Sequence, residues 1–496
     1  MQPFLAHPFD SDRLHEECGI FGAIGVADAS SFVALGLHAL QHRGQEAGGI
    51  VAHDADQGFN SAHRFGYVRD NFTKTDVMAT LPGPLAIGHV RYSTAGTKAN
   101  TAIRDVQPFF GEFSMGGCAI AHNGNITNAA ALRRELIERG SIFQSSSDSE
   151  CIIHLMARSI QRNIPERMKD ALRRVEGAFS VIAMTRTKLI GVRDPLGVRP
   201  LVLGKLSDDG FVLASETCAL DIIGAEFVRE IDPGEMVVIS KGKVETSRPF
   251  GPSKGRFCIF EHVYFSRPDS IIDGRSVYET RRQIGVELAR EAPVEADLVC
   301  PVPDSGTPAA IGFAQESGIP YGMGIIRNQY MGRTFIEPTD QIRNMGVRLK
   351  LNVNRALIRG KRVILVDDSV VRGTTSRKIK DMIIDAGAAE VHFRIASPPT
   401  AWPCFYGVDT PDRDKLLAAQ MTPEEMREWI GVDSLSFVSL DGLYRAVGEA
   451  KGRNRKCPQY CDACFSGDYP VAPFDQLERG FQMKPGSESA VNEAAE

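Results

Sequence analysis

Apolar patterning changes character near residue 250 of this 496-residue chain, and that change confines it to at least two domains of different class. Between residues 18 and 250 the apolar residues fall in short runs separated by turn signals: GIFGAIGV, GGIVAHD, LAIGHVRYS, CAIAHNG, FSVIAMT, LIGVRD, FVLASE and MVVIS. Such runs predict strands. Helical spacing stands out only in LRRELIERG and SECIIHLMARSIQRN, so this half reads as a strand-rich α+β layer fold. From residue 258 to 465 helix-like and strand-like runs alternate instead: SVYETRRQIGVELARE, DLVCPVP, TPAAIGFAQESG, KRVILVDD, SRKIKDMIIDAG, EVHFRIAS. Alternation of that kind predicts an α/β domain with a parallel sheet. RPFGPSKGRF (248–257), rich in Gly, Pro and basic residues, is the expected linker. The small, polar end KPGSESAVNEAAE (484–496) is expected to be a disordered tail.

A net charge of −5 with 43% apolar and 24% charged residues is ordinary globular composition, which excludes wholesale disorder, collagen and coiled coil. It gives no footing for nucleic acid or an anionic membrane as a global partner, so an anionic ligand must be held by a local site. No apolar run approaches the ~20 residues of a membrane helix. The start, MQPFLAHPFDSDRLHEE, lacks the basic and apolar regions of a secretory signal. The expected compartment is the cytoplasm, where ten cysteines read as buried hydrophobes, nucleophiles or metal ligands.

The sharpest local signal is VILVDDSVVRGTT (363–375). Four apolar residues form a fully buried strand, Asp367 and Asp368 emerge at its carboxyl end, and a helix begins near Thr375. Ligands of open α/β sheets bind at that end, free helix N–H groups attract phosphate, and two adjacent carboxylates suit ribose hydroxyls, magnesium, or both. The run resembles the phosphoribosyl-pyrophosphate (PRPP) signature of type I phosphoribosyltransferases. The resemblance implies that Asp367 and Asp368 face the ribose hydroxyls and metal, while Ser369, Val370, Val371, Arg372, Gly373, Thr374 and Thr375 hold the 5′-phosphate. The upstream turn in DLVCPVPDSGTPAAIGFA resembles the loop on the pyrophosphate side, with Ser305 as a contact to pyrophosphate or Mg2+. Residues 327–352, rich in Gly, Arg and polar side chains, resemble the loop that closes over PRPP; Arg333, Thr334 and Lys350 are the expected phosphate contacts.

Cys18-Gly19-Ile20-Phe21-Gly22 opens the first zone, and HRGQE (42–46), HVRYST (89–94), HNGN (122–125) and SDSE (147–150) follow in order. Together they resemble the class II glutaminase domain of the N-terminal-nucleophile (Ntn) amidotransferases, an αββα sandwich. Cysteine at a free N-terminus carries its own base, an α-amine with pKa of about 7.7–8.0. As encoded, Cys18 is internal and its nitrogen is an amide, so residues 1–17 are expected to be a propeptide that is removed. The resemblance further implies that Arg91 binds the glutamine α-carboxylate and Asp148 its α-ammonium. Asn123 and Gly124 would form the oxyanion hole, and Arg43, Gly44 and Thr94 would complete the pocket.

Cys461-Asp462-Ala463-Cys464 is by spacing a redox pair, half a metal site, or neither. Across residues 18–470 the chain is similar to the processed type of glutamine PRPP amidotransferase, in which four cysteines hold a 4Fe–4S cluster. Their contexts match Cys258, Cys404, Cys461 and Cys464. Zinc would accept the same all-thiolate set, and Cys457 stands as a fifth candidate. Cys118, Cys151, Cys218 and Cys300 read as buried hydrophobes. The family implies release of ammonia from glutamine at Cys18 and its transfer to PRPP with Mg2+, giving 5-phosphoribosylamine, glutamate and pyrophosphate at the opening of purine (IMP) synthesis. It also implies a homotetramer and feedback inhibition by purine nucleotides. Two other readings stay open: a different glutamine amidotransferase, such as one making glucosamine phosphate, and a PRPP-sensing regulator, which would need a DNA-binding helix pair and a basic face.

Overall fold

The computed structural model describes residues 15–16, 18–92, 103–206, 209–328, 351–410 and 412–483. Thr94, Arg333, Thr334, Lys350, residues 1–14 and the tail 484–496 lie outside the described residues.

The N-terminal half is two stacked sheets. One orders the strands Glu226–Glu230, Val202–Lys205, Phe211–Ala214, Gly19–Ile24, Leu85–Arg91, Ala47–Asp54 and Gly58–Phe65. The other orders Lys243–Ser247, Met236–Ser240, Leu189–Arg193, Gly177–Met184, Gly116–Ile126 and Phe109–Phe113. All pairings are antiparallel. Successive residues of a strand point to opposite faces. Ile20 therefore enters the layer between the sheets with Ile87, Ile182 and Leu213, while Phe21 packs outward under the helix Ala29–Ala39. The helices Ala129–Glu138, Glu150–Arg158 and Ile164–Leu172 cover the opposite outer face. The result is the αββα sandwich that the resemblance implies. The helix Ala29–Ala39 was not foreseen; Asp28 precedes it, but at φ +56 its side chain makes no capping bond to the helix backbone.

The C-terminal half is a four-stranded parallel sheet in the order Leu298–Pro301, Arg362–Asp367, Glu390–Ile395, Ser434–Phe437. Residues 363–366 are fully buried and feed both faces: Ile364 and Val366 pack beneath the helices Val277–Glu291 and Thr307–Ser317, and Val363 and Leu365 beneath Thr374–Asp385 and Pro423–Ile430. Gly285 lets the first two helices touch backbone to backbone, since a Cβ there would overlap the Ala309 carbonyl.

Residues 248–256 have no regular structure, as expected of a linker, but they are strapped down. The Arg256 N–H donates to Leu196 O (2.7 Å) and Arg173 Nε to Pro249 O (3.0 Å). The chain then enters the short strand Phe257–Cys258, which pairs in parallel with Tyr460–Cys461. His15–Glu16 pair antiparallel with Val408–Asp409.

A fully buried chain of charges joins the halves. Arg43 donates to Glu216 and, at 2.7 Å, to Glu261 Oε2. Arg199 reaches the other Glu261 oxygen at 3.0 Å and the Tyr406 carbonyl at 2.9 Å. Glu216 also accepts from the Arg267 N–H (2.9 Å) and the Ser270 hydroxyl (2.7 Å). Burial pushes the Glu216 carboxyl up, but Arg43 and His42 outweigh it and hold it well below the usual carboxylate range. Removing one member of a buried ionic group costs about 3–5 kcal/mol. Glu261→Gln should therefore lower the thermal midpoint clearly. Because the Glu216 pKa is depressed on folding, its contribution is present at neutral pH and lost as pH falls below the ordinary carboxylate range. Thermal melts between pH 7 and pH 3 check both expectations.

Candidate active site

A cavity of about 260 Å3 opens in the N-terminal half, and Cys18, Arg91, Gly124 and Asp148 all line it. Strand register brings the first two together: Gly19 pairs with Val90, which sets Cys18 beside Arg91 at one end of the ladder. Arg91 donates from Nη1 to the Asp105 carbonyl at the cavity edge. Gly124 has φ +140, and a Cβ there would overlap the Ala178 carbonyl, so only glycine fits. Asn123, one residue earlier, is fully buried with Nδ2 3.5 Å from Ser215 Oγ. Ser215 Oγ also accepts the Ile20 N–H at 3.0 Å, tying the Asn123 side to the strand that begins after Cys18. Asp148 Oδ2 accepts the Ile126 N–H (2.9 Å) and Oδ1 the Ser149 N–H (2.7 Å), which fixes it at the cavity floor. Cys18 has φ +73, a left-handed conformation rare for a residue bearing a Cβ.

The structure does not bring the Arg43 side chain to this cavity. Its guanidinium is consumed by Glu216 and Glu261 at the domain junction, since a fully buried cation is held by its counter-charges. Gly44 packs against the backbone of Val90 and Arg91, where it sets the approach of that strand.

Several wall residues were not foreseen. His122 Nδ1 lies 2.8 Å from Ser149 Oγ, Gln107 Nε2 donates to the same hydroxyl (3.2 Å), and Gln107 Oε1 accepts the His122 N–H (2.7 Å). Burial pulls the His122 imidazole below its ordinary pKa and His89 well below, so both are neutral at pH 7. The C-terminal half supplies a further wall with Phe405, Pro473, Asp475 and Gln476. The Asn125 side chain donates to the Phe405 carbonyl at 2.8 Å. No local motif marks Phe405, Pro473, Asp475 or Gln476; only the docking of the two halves places them.

The second site stands at the carboxyl end of the parallel sheet. Asp367 and Asp368 are each 8% exposed. The Asp368 N–H donates to Asp367 Oδ1 (3.0 Å), and Ser369 Oγ to Asp368 Oδ1 (2.5 Å). Gly373, at φ +73, turns the chain into the helix Thr374–Asp385. The Val302 N–H donates to Val366 O (2.9 Å), which lays the 303–307 turn beside the 367–375 loop. Ser305 Oγ and Arg372 Nε are buried there without a hydrogen-bond partner. Arg281, unforeseen, donates to the carbonyls of His262 (2.9 Å) and Ser266 (2.7 Å); burial lowers its pKa to about 10 against the opposing charge of Asp368.

Among the described residues, no three His, Cys, Asp or Glu side chains stand close enough to hold a single metal ion. A polynuclear cluster asks for something different, because each thiolate binds its own iron. Cys258 and Cys461 are register partners on adjacent strands, and the Cys464 carbonyl accepts the N–H groups of Ala401 and Trp402, both at 3.1 Å. Burial, then the nearby Arg199, Glu261 and Cys404, leave the Cys258 thiol pushed up to about 12. Burial and the neighbouring cysteines raise Cys461 and Cys464 well above the ordinary thiol value. Cys258, Cys404, Cys461 and Cys464 are all soft thiol donors, the ligand type an iron–sulfur cluster takes. Cys457 faces Lys254 Nζ at 3.7 Å.

A sequence profile described as a glutamine amidotransferase domain matches residues 94–221. An amidophosphoribosyltransferase of Rhizobium etli is 56% identical over 475 residues, spanning 95% of this chain and 95% of that protein. The amidophosphoribosyltransferase of Bacillus subtilis is 47% identical over 460 residues, 92% of this chain and 95% of its own. The solved structure of the B. subtilis glutamine PRPP amidotransferase complexed with ADP and GMP matches with a TM-score of 0.86 at 45% identity, covering 92% of this chain and 98% of that one.

Thiol accessibility separates the cysteines. Burial lifts Cys118, Cys151 and Cys300 to about 12, which keeps them in the unreactive thiol form at pH 8. Half-buried Cys18 opens on the cavity. Brief iodoacetamide treatment at pH 8, mapped by peptide mass spectrometry, should label Cys18 and leave those three unmodified until denaturant is added.

Proposed function

The chain belongs to the amidophosphoribosyltransferases, and from that premise we propose how its two sites divide one reaction. The enzyme takes ammonia from glutamine and transfers it to PRPP, giving 5-phosphoribosylamine, glutamate and pyrophosphate, the first committed step of purine biosynthesis. The observation that carries the division of labour is that Cys18, Arg91, Gly124 and Asp148, scattered over some 130 residues of sequence, line one cavity.

In that cavity Cys18 Sγ attacks the side-chain amide carbon of glutamine and forms a glutamyl thioester as ammonia leaves. Arg91 holds the α-carboxylate and Asp148 faces the α-ammonium. The Gly124 N–H and the Asn123 amide stabilise the tetrahedral oxyanion, where a missing donor typically costs 10²–10³ in rate. By the family resemblance, Thr94 is the further residue expected to complete the glutamine pocket. Arg43 acts at a distance by holding the domain junction, and Gly44 by admitting the Arg91 strand. The base is the α-amine of Cys18, which exists only once residues 1–17 are gone. The left-handed φ of Cys18 in the uncut chain supports cleavage there, because that backbone constraint ends with the bond.

At the second site the 367–375 loop binds the 5′-phosphate through the helix N–H groups, the hydroxyls of Ser369, Thr374 and Thr375, and Arg372. Asp367 and Asp368 orient the ribose hydroxyls. Ser305, Asp367 and Asp368 would hold magnesium, which supplies charge neutralisation for the pyrophosphate leaving group. By the family resemblance, Arg333 and Lys350 would add cationic contacts to the phosphates. Cys258, Cys404, Cys461 and Cys464 would hold a 4Fe–4S cluster whose part is structural, since neither half-reaction moves electrons. The B. subtilis relative bound to ADP and GMP supports feedback by purine nucleotides here, and the family resemblance implies a cytoplasmic homotetramer.

Cys18→Ala should reduce glutamine-dependent synthesis by at least about 10⁴-fold while ammonia-dependent synthesis persists. Loss of both activities would refute separable sites. Intact-mass measurement of active enzyme should show residues 1–17 missing, and metal analysis should find about four irons per chain in brown protein. Active enzyme that keeps its leader, or that is colourless and carries zinc, overturns the corresponding part.

A further inference from the structure

The glutamine cavity is closed on one side by residues from the far end of the chain. Its outer wall includes Asp475, from the short helix Phe474–Glu478. The Asp475 N–H donates to the Thr127 carbonyl (2.8 Å), and Asp475 Oδ2 accepts the Ala130 N–H (2.8 Å) at the start of the helix Ala129–Glu138. Arg134 and Glu478 add a surface ion pair at 2.9 Å. Oδ2 is thereby committed. Oδ1 of the same carboxylate is buried and has no hydrogen-bond partner, and neither has Thr127 Oγ1, which lines the same cavity. A buried carboxylate oxygen without a donor is unfavourable unless something else supplies one. Asp148 differs: its two oxygens already accept the Ile126 N–H, the Ser149 N–H and hydroxyl, and the Ser147 hydroxyl.

We propose that Asp475 is a substrate-binding residue of the glutamine site, and that its Oδ1, Thr127 Oγ1 and Asp148 receive the three N–H groups of the substrate α-ammonium. An ammonium offers three donors and no acceptor, which matches these three oxygens. Arg91 stands in the same cavity for the α-carboxylate, so the site distinguishes a free α-amino acid amide from an amide lacking the amine. The C-terminal half thus contributes a specificity group to the glutaminase half, and the glutamine site is complete only when the segment after Cys464 is docked.

The inference rests on the glutamine reading above, and one experiment separates the two. Asp475→Asn retains an acceptor for the Ala130 N–H and removes the charge. In the holoenzyme it should raise KM for glutamine about 10- to 100-fold, while the competitive Ki of 4-carbamoylbutanoate, which is glutamine without its α-amine, stays unchanged. Thr127→Val, which leaves the helix start intact, should move the same pair of constants in the same direction by a smaller factor. If glutamine KM and analogue Ki rise together in both variants, or neither moves, Asp475 is only a cap and the inference is overturned. If the wild-type enzyme does not hydrolyse glutamine, the reading of the cavity itself fails.

Discussion

Glu261, buried between Arg43 and Arg199, is the contact on which the two-domain structure turns. Charges out of water persist only where geometry satisfies them, so this group admits few alternative dockings of the halves. The consequence is felt some distance away. Arg199 also holds the Tyr406 carbonyl, the neighbouring Phe405 carbonyl holds Asn125, and Phe405 becomes part of the wall of the cavity beside Cys18. A second seam, the parallel pairing of Cys258 with Cys461, draws the C-terminal segment over the same face.

The two sites illustrate different ways of handling charge. The cavity beside Cys18 carries buried imidazoles and amides in its wall, with Asp148 held by backbone N–H groups, which suits a reaction whose negative charge develops on one oxygen. The loop after the Arg362–Asp367 strand places two carboxylates and a helix N-terminus side by side and leaves Ser305 and Arg372 unsatisfied. That arrangement suits a ligand carrying several phosphates with a counter-ion.

Much of the architecture was legible because burial writes a pattern. Residues 363–366 are apolar without interruption since both faces of a parallel strand are covered, and the strand and helix runs named from the sequence reappear within a few residues of their observed bounds. The helix Ala29–Ala39 escaped although Asp28 precedes it. Arg43 was misplaced. It was expected to complete the glutamine pocket, but its guanidinium is spent on the buried carboxylates of Glu216 and Glu261. Ser215, Phe405 and Asp475 carry no motif, as their importance comes from partners more than 90 residues away in the chain.

The sequence by itself determined the chemistry-bearing loops, the layer type of each half and the family, because these depend on local periodicity and on contiguous motifs whose residue types the chemistry dictates. Only the tertiary structure decided how the halves meet, which guanidinium is spent on structure, and which C-terminal oxygens reach the first cavity. Those outcomes depend on buried charge pairing and backbone anchoring between distant segments, and no stretch of sequence records its partner.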